Sequence, residues 1–475
     1  MKQIKKLIIE LLFILIVFNV NAQSTIENLN QATNDLYSIF NNEKRPGCAI
    51  VVVKDGKKVY QNCFGLANIE NEVKITDSTE FFLASVSKQF TGYAVAKLII
   101  EGKLDYNASI SKYLPNENIL WDCIQIKNLI HQTSGIWDWP YLFLATGHSF
   151  DDVLNSDGIF QLIRSQSRLS FPTGSKFQYT SSNYMLLGEI VKRIINSDYY
   201  DWMNEFVLYP AGMQNTFYQK NHSEIIKNRA SGYLFKQNKY ERTTNNLSPI
   251  GTGFIYSNIE DMGNWMVYLL SQKSQITAQM LQTSKLNNGD DIPYAFGLMK
   301  RGTDVYWHDG YLQGFRTITI LNSNANFALV LLSNSGSNHI VRSAFKIANM
   351  YMTDSIPQKE IEDFKDKFQS EPQRMRKSGK EQKYSHDLNE FKGIYLNKEL
   401  LITYKLYQKN DSLFAANAIE QIYLKPNSDN IDSFGSDKFM LGNFDFERDE
   451  YGKVSGFNIN QRRDNKIRFI RIEEE

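Results

Sequence analysis

The chain has 475 residues, more than one hydrophobic core usually covers, so two or three domains or subdomains are expected. Its 53 basic and 52 acidic residues give a net charge of +1, with no broad positive field for nucleic acid and no acidic tail. The expected partner is a small molecule or a peptide.

The opening stretch, MKQIKKLIIELLFILIVFNVNAQ, has three lysines, then an apolar run from Leu7 to Phe18, then small or polar residues ending at Val20-Asn21-Ala22. That is the build of a secretory signal peptide over residues 1–22, which predicts a secreted or periplasmic protein cleaved after Ala22. The run is short for a membrane span and contains Glu10, so membrane attachment is expected only if the signal stays uncleaved. Ser24 to Asn42 then reads as a helix. In CAIVVVKDGKKVYQNC, Asp55-Gly56 is a two-residue hairpin signal, and pairing Lys54 with Lys57 sets Cys48 opposite Cys63. An exported protein could bridge these two cysteines, but this register makes them a hydrogen-bonded pair with side chains farther apart, which leaves the disulfide open. Three cysteines are too few for a disulfide framework and wrongly spaced for zinc, and the six histidines are scattered. No metal and no cofactor are expected.

The apolar stretch from Ser85 to Ile100 ends at Glu101-Gly102-Lys103, as a helix should. A polar, aromatic-rich middle with turns at Pro115, Gly135 and Pro172-Thr173-Gly174 runs to about residue 250. Strand signals return at Val305 to His308, Phe315 to Leu321 and Phe327 to Leu332, followed by the helical pattern SNHIVRSAFKIANMYM. Strands at both ends with helices between predict an α+β domain over residues 24–356. Its antiparallel sheet is built from both ends, flanked by helices, and carries a helical insertion. Residues 357–384 are highly charged and read as a linker. Residues 385–475 hold several short strands between turns such as Lys409-Asn410-Asp411, which predicts a small antiparallel barrel or sandwich. No Gly-Lys pair is followed by Ser or Thr, so a nucleotide signature is missing.

Chemistry concentrates in ASVSKQFTGYA, residues 84–94. Helical positions three apart share a face, so Ser85 can meet Lys88 while Ser87 points elsewhere. In a buried site Lys88 would lose proton affinity and could act as a base, and a helix N-terminus offers backbone N–H groups to an oxyanion. The stripe Ser85, Lys88, Gln89 and Gly92 is expected to carry the reactive face, with Gly92 admitting a close neighbour. Ser109-Ile110-Ser111-Lys112 fits the same pattern but lies in a polar stretch that stops at Pro115.

With PGCAIVVVKDGKKVYQNCFGLAN, FFLASVSKQF, IKNLIHQTSGI, FPTGSKFQYTSSNYMLLG and WHDGYLQGF in this order, the sequence resembles the exported serine hydrolases related to β-lactamases and penicillin-binding proteins. The branch is that of class C β-lactamases, D-alanyl carboxypeptidases, D-aminopeptidases and related esterases. The resemblance covers roughly residues 26 to 353. It implies that Ser85 is the acylated nucleophile, Lys88 its partner and Tyr179 the tyrosine that shares proton transfer. His308-Asp309-Gly310 stands where β-lactamases carry Lys-Thr-Gly, which places His308 with Ser85, Lys88 and Tyr179 among the expected catalytic residues, and the backbone N–H groups of Ser85 and Tyr311 are implied as the oxyanion hole. Ser181 replaces the usual asparagine of Tyr-x-Asn, and Gln132 replaces the histidine of His-Thr-Ser-Gly, a change read as structural. His308 in place of lysine removes a fixed positive charge, so Arg316 becomes the candidate carboxylate anchor, with Ser181 and Gly310 also at the substrate. The missing Gly-x-Ser-x-Gly argues against an α/β-hydrolase.

These residues together lead to the expectation of an acyl-enzyme hydrolase acting on a small ester or D-amino-acid peptide, or weakly on β-lactams. Its substrates could include cell-wall fragments. The alternative is a catalytically weak penicillin- or peptidoglycan-binding protein of the same fold.

Overall fold

A computed structural model of the chain describes residues 25–41, 44–271, 274–359, 361–363, 387–427, 430–438, 440–461 and 465–472. The expected signal peptide, residues 1–22, and most of the expected linker, residues 357–384, lie outside them. Everything structural below concerns the described residues.

Two strands with no polar alternation, Cys48–Lys54 and Phe327–Ser333, pair antiparallel along their whole length, from Cys48 with Ser333 to Lys54 with Phe327. Continuous apolar runs of this kind are buried on both faces. They form the middle of a six-stranded sheet ordered Met299–Arg301, Val305–Leu312, Phe315–Asn322, Phe327–Ser333, Cys48–Lys54 and Lys57–Phe64. The sheet is therefore closed from both ends of the domain, as the strand pattern predicts. On one face Ile50, Val52, Leu329 and Leu331 pack against helix 25–37 (Leu29, Leu36) and helix His339–Thr353 (Ile340, Ile347). On the other, Ala49, Val51, Val330 and Leu332 face helix Ile259–Ser271. Behind that helix lies Lys88–Ile100, joined through Phe90 and Trp265 with ring centroids 4.9 Å apart. Each such fully buried aliphatic side chain contributes roughly 2 kcal/mol of transfer free energy.

The hairpin corrects the expected cysteine pairing. Lys54 does face Lys57, but a bulge between Val52 and Val53 shifts the register, so Cys48 lies opposite Phe64 and Cys63 opposite Ala49. One extra residue moves everything beyond it to the other face. Cys48 joins the layer under helix 25–37, Cys63 the opposite layer, and both thiols are free.

Toward the C-terminus, eight strands close into an antiparallel barrel running from Gly393–Asn397 to Asn465–Ile472, with Leu396 pairing back onto Ile470. Closure decides between barrel and sandwich. Inward residues alternate along the strands, as in Leu413 and Ala415 or Ile422 and Leu424. Phe457 stacks between Phe444 and Phe469 at 5.0 and 4.8 Å, so the centre is a packed core.

Glu80 sits uneasily in this packing just before the segment that carries Ser85. It is buried, its Oε1 accepts from Asn258 Nδ2 at 2.9 Å, and Asp261 is a close negative neighbour. Burial pushes its carboxyl up to about 8, with Asp261 adding to the effect.

Two outcomes are expected. Alkylation of the unfolded, unreduced protein should add three groups per chain, one for each cysteine, and two fewer would restore the disulfide. Folded Glu80 keeps its proton up to about pH 8 while the unfolded chain releases it near the ordinary carboxylate value. Stability should therefore fall as pH rises between those values, and melting curves should show Glu80→Gln stabilising the protein more at about pH 8.5 than at about pH 5.

Candidate active site

Strand Phe81–Phe82 pairs with Ile255–Ser257, and Leu83 N donates to Ile255 O at 2.9 Å, which fixes the chain just ahead of Ser85. Ala84 then takes a left-handed φ of +48°, a strained conformation for a residue with a Cβ. A 3₁₀ turn, Ala84–Ser87, follows and runs into the α-helix at Lys88. In a 3₁₀ turn, residues three apart eclipse one another. Ser85 and Lys88 are brought together this way, and Lys88 Nζ donates to Ser85 Oγ at 2.9 Å. The lysine is fully buried and donates again to the Thr252 carbonyl at 3.0 Å.

Ser87 is buried and turned away from the groove. The expected reactive stripe divides at Lys88: Gln89 points inward and accepts from Trp265 Nε1 at 2.6 Å. Gly92 meets Phe296, whose carbonyl oxygen would lie 2.1 Å from a Cβ there. In the rival Ser-x-x-Lys, Ser109 caps the 3₁₀ turn Ile110–Lys112 and donates to Trp121 O at 3.0 Å.

Tyr179 stands over the lysine, with Lys88 Nζ 5.1 Å from its ring centroid. Its position comes from Gln132, read from the sequence as a structural change. Gln132 is buried at φ +61°, and its Oε1 accepts from Thr180 N at 2.9 Å and from Asn183 Nδ2 at 2.8 Å. Its carbonyl also accepts from Gln178 N at 2.9 Å. Ser181 opens helix Ser181–Ile195 and lines the groove, and its N–H donates to Asp138 Oδ1 at 2.7 Å.

His308, Gly310 and Tyr311 come from strand Val305–Leu312, and Arg316 from its partner strand Phe315–Asn322, where Tyr311 lies opposite Arg316. A Cβ at Gly310 would come within 2.3 Å of Leu83 O and 3.1 Å of Ala84 Cβ, so glycine lets this strand lie directly against the serine's segment. His308 is buried, its ring centroid 5.7 Å from that of Tyr179. The Asp309 carbonyl, 2.7 Å from Nδ1, can only accept, so Nδ1 carries the hydrogen. In the neutral ring, Nε2 accepts from the Tyr294 hydroxyl at 3.1 Å. Arg316 stacks on Tyr311 at 3.9 Å, donates to Asn338 and lies 3.6 Å from Asp309. Burial lowers its guanidinium below the ordinary value, and Asp309 works in the opposite direction.

Ser85, Lys88, Tyr179, Ser181, His308, Tyr311 and Arg316 all border one groove of about 1260 Å³, and Gly310 packs just behind it. Sequence reasoning missed Thr252, Asp138 and Tyr294. Thr252 acts through its carbonyl, which leaves no side-chain signal, and Tyr294 is one of 26 tyrosines. Asp138, in the segment just after Gln132-Thr133-Ser134-Gly135, was the one that could have been found.

The family model described as Beta-lactamase matches residues 23–346. Protein flp of Staphylococcus aureus (strain MW2) is 28% identical over 311 residues, 62% of this chain and 61% of its own length, so this chain spans less than two thirds of that relative. Penicillin-binding protein 4* of Bacillus subtilis (strain 168) is 23% identical over 332 residues, 65% of this chain and 72% of that protein. Among solved structures, the octameric penicillin-binding protein homologue from Pyrococcus abyssi covers 94% of this chain and 100% of its own, at a TM-score of 0.59 and 18% identity. FmtA from Staphylococcus aureus covers 68% of this chain and 88% of its own, at 0.57 and 22%. The fold is the one shared by β-lactamases and transpeptidases.

Gln132→Ala should leave the Thr180 N–H and the Asn183 amide buried without their acceptor. The expected result is about 2 kcal/mol of lost stability in urea unfolding, with slower covalent labelling of Ser85 in the folded fraction.

Proposed function

The chain belongs to the beta-lactamase family, and from that footing we propose that it is a serine hydrolase working through an acyl-enzyme on Ser85, with a small ester or D-amino-acid peptide as substrate. Family membership itself brings serine hydrolase or penicillin-binding chemistry in broad terms. The observation that carries the finer reading is the 2.9 Å contact from a fully buried lysine to a serine hydroxyl at the floor of an open groove.

In the proposed reaction Lys88 starts as the neutral amine, the serine hydroxyl turns its hydrogen onto Nζ, and as Ser85 Oγ attacks the substrate carbonyl that proton passes to Lys88. The oxyanion rests on the backbone N–H groups of Ser85 and Tyr311. As the tetrahedral intermediate collapses, the bond to the leaving group breaks and that group takes the proton through Lys88 and Tyr179. Water then attacks the acyl carbonyl and gives a proton to Lys88, the bond to Ser85 Oγ breaks, the acid leaves, and the serine takes that proton. His308, with its ring nitrogens engaged by Tyr294 and Asp309, acts here as a positioning residue behind Tyr179 rather than as a fixed charge.

Substrate class follows from what the groove offers. Ser181 presents a hydroxyl where a side-chain amide would hold a peptide or β-lactam amide. Arg316 can anchor a carboxylate only in competition with Asp309. Both features count against efficient β-lactam turnover, and the first favours a small ester, which has no amide to hold. The same Ser181 supports the second reading, a catalytically weak protein that binds penicillin or peptidoglycan fragments. Export through the N-terminal signal belongs to the proposal in either form.

Intact-mass spectrometry after treatment with a fluorophosphonate and, separately, a penicillin should find an adduct that maps to Ser85. Ser85→Ala should abolish it and cut hydrolysis at least about a thousandfold, while Ser87→Ala should keep both. An adduct with both reagents favours a penicillin-interacting peptidase, and fluorophosphonate alone an esterase. No adduct from either moves the assignment to the binding protein.

A further inference from the structure

The barrel has no role in the chemistry above, and its aromatic-filled centre is a packed core. Its rim is another matter. The turn between strands Asn430–Ser436 and Asn443–Arg448 sends Met440 and Gly442 into the lining of the groove that holds Ser85. Met440 is half-buried against the apolar cluster shared by the two domains and has a left-handed φ of +64°. A non-glycine residue keeps that conformation only where its surroundings enforce it. Here Leu441 is buried next to it, Ser436 N donates to Gly442 O at 3.1 Å, and Lys438 pairs with Glu420 at 2.8 Å.

The barrel is also fixed to the wall it extends. Helix Trp139–Ala145 and the residues after it contribute Trp139, Tyr141 and Phe150 to the groove. The barrel touches the same segment. Tyr404 donates from its hydroxyl to Ala145 O at 3.3 Å, and Gly147 lies so close to Asn417 that a Cβ would fall 2.1 Å from Nδ2. Aromatic side chains of the first domain and a methionine of the second therefore border the same groove. Methionine is flexible and polarizable, suited to packing on varied apolar shapes and poorly suited to a charged one.

We propose that the barrel completes the substrate site and that Met440 is a specificity-determining residue packing against an alkyl or aryl group of the substrate, away from the reacting carbonyl. This rests on the acyl-enzyme reading of Ser85.

The test compares two phosphonofluoridates that differ only in a methyl or a decyl substituent, with rate constants for labelling at Ser85 measured on the full chain. The ratio of decyl to methyl rates is internal to the active molecules, so partial misfolding of a variant cancels. Met440→Glu should lower this ratio by about tenfold or more, and Met440→Leu should hold it within about twofold of the unmodified protein. A Met440→Glu ratio unchanged within about twofold overturns the inference and leaves the acyl-enzyme reading standing. No labelling of Ser85 by either reagent in the unmodified protein overturns that reading, and the inference with it.

Discussion

A lysine amine with no exposure to water has to find its hydrogen-bond partners inside the protein, and the region around Lys88 is organised by that demand. One partner, the Ser85 hydroxyl, is supplied locally by the eclipsed geometry of a 3₁₀ turn. Another, the Thr252 carbonyl, comes from far along the chain, where the loop around Gly251 lies tight against helix Ser181–Ile195. A Cβ at Gly251 would fall 2.1 Å from Tyr184 O. The left-handed Ala84 and the glycine at position 310 belong to the same arrangement, the first turning the chain into the serine and the second letting the neighbouring strand lie against it. Local strain is tolerated here because the central sheet and two packed helices fix everything around it.

The segments carrying Tyr179 and His308 reach this centre by different routes. Tyr179 lies outside regular structure, so its place depends on buried hydrogen bonds, and Gln132 provides them through side chain and backbone together. His308 and Tyr311 lie in a strand whose register is set by eight consecutive pairs with Phe315–Asn322, so their place depends on the sheet. A groove built from one hydrogen-bonded loop and one sheet strand has a rigid side and a side whose precision rests on a few polar contacts.

The barrel shows how a second domain can enter a site without contributing to its chemistry. Closing eight strands removes exposed edges and fills the centre with aromatic rings, leaving the turns as the parts able to reach outward. One of them reaches the groove, backed by contacts with the segment that carries the aromatic wall.

The sequence by itself determined what short-range geometry controls. The meeting of Ser85 and Lys88, the exclusion of Ser87, the two-sided burial of CAIVVVK and FALVLLS, and the switch to short strands after residue 385 all follow from side-chain period and turn chemistry. Tertiary structure decided what depends on distant chain or on a single inserted residue. A bulge at Val52 and Val53 put the two cysteines on opposite faces, and closure rather than stacking made the last strands a barrel. Thr252 meets Lys88 through a backbone carbonyl, Asp138 and Gln132 hold the site by hydrogen bonds to residues more than forty positions away, and Met440 reaches the groove on a turn of another domain. Periodicity records which face of an element is buried. Which distant groups meet that face is set by packing, where a generic carbonyl or methionine carries no pattern of its own.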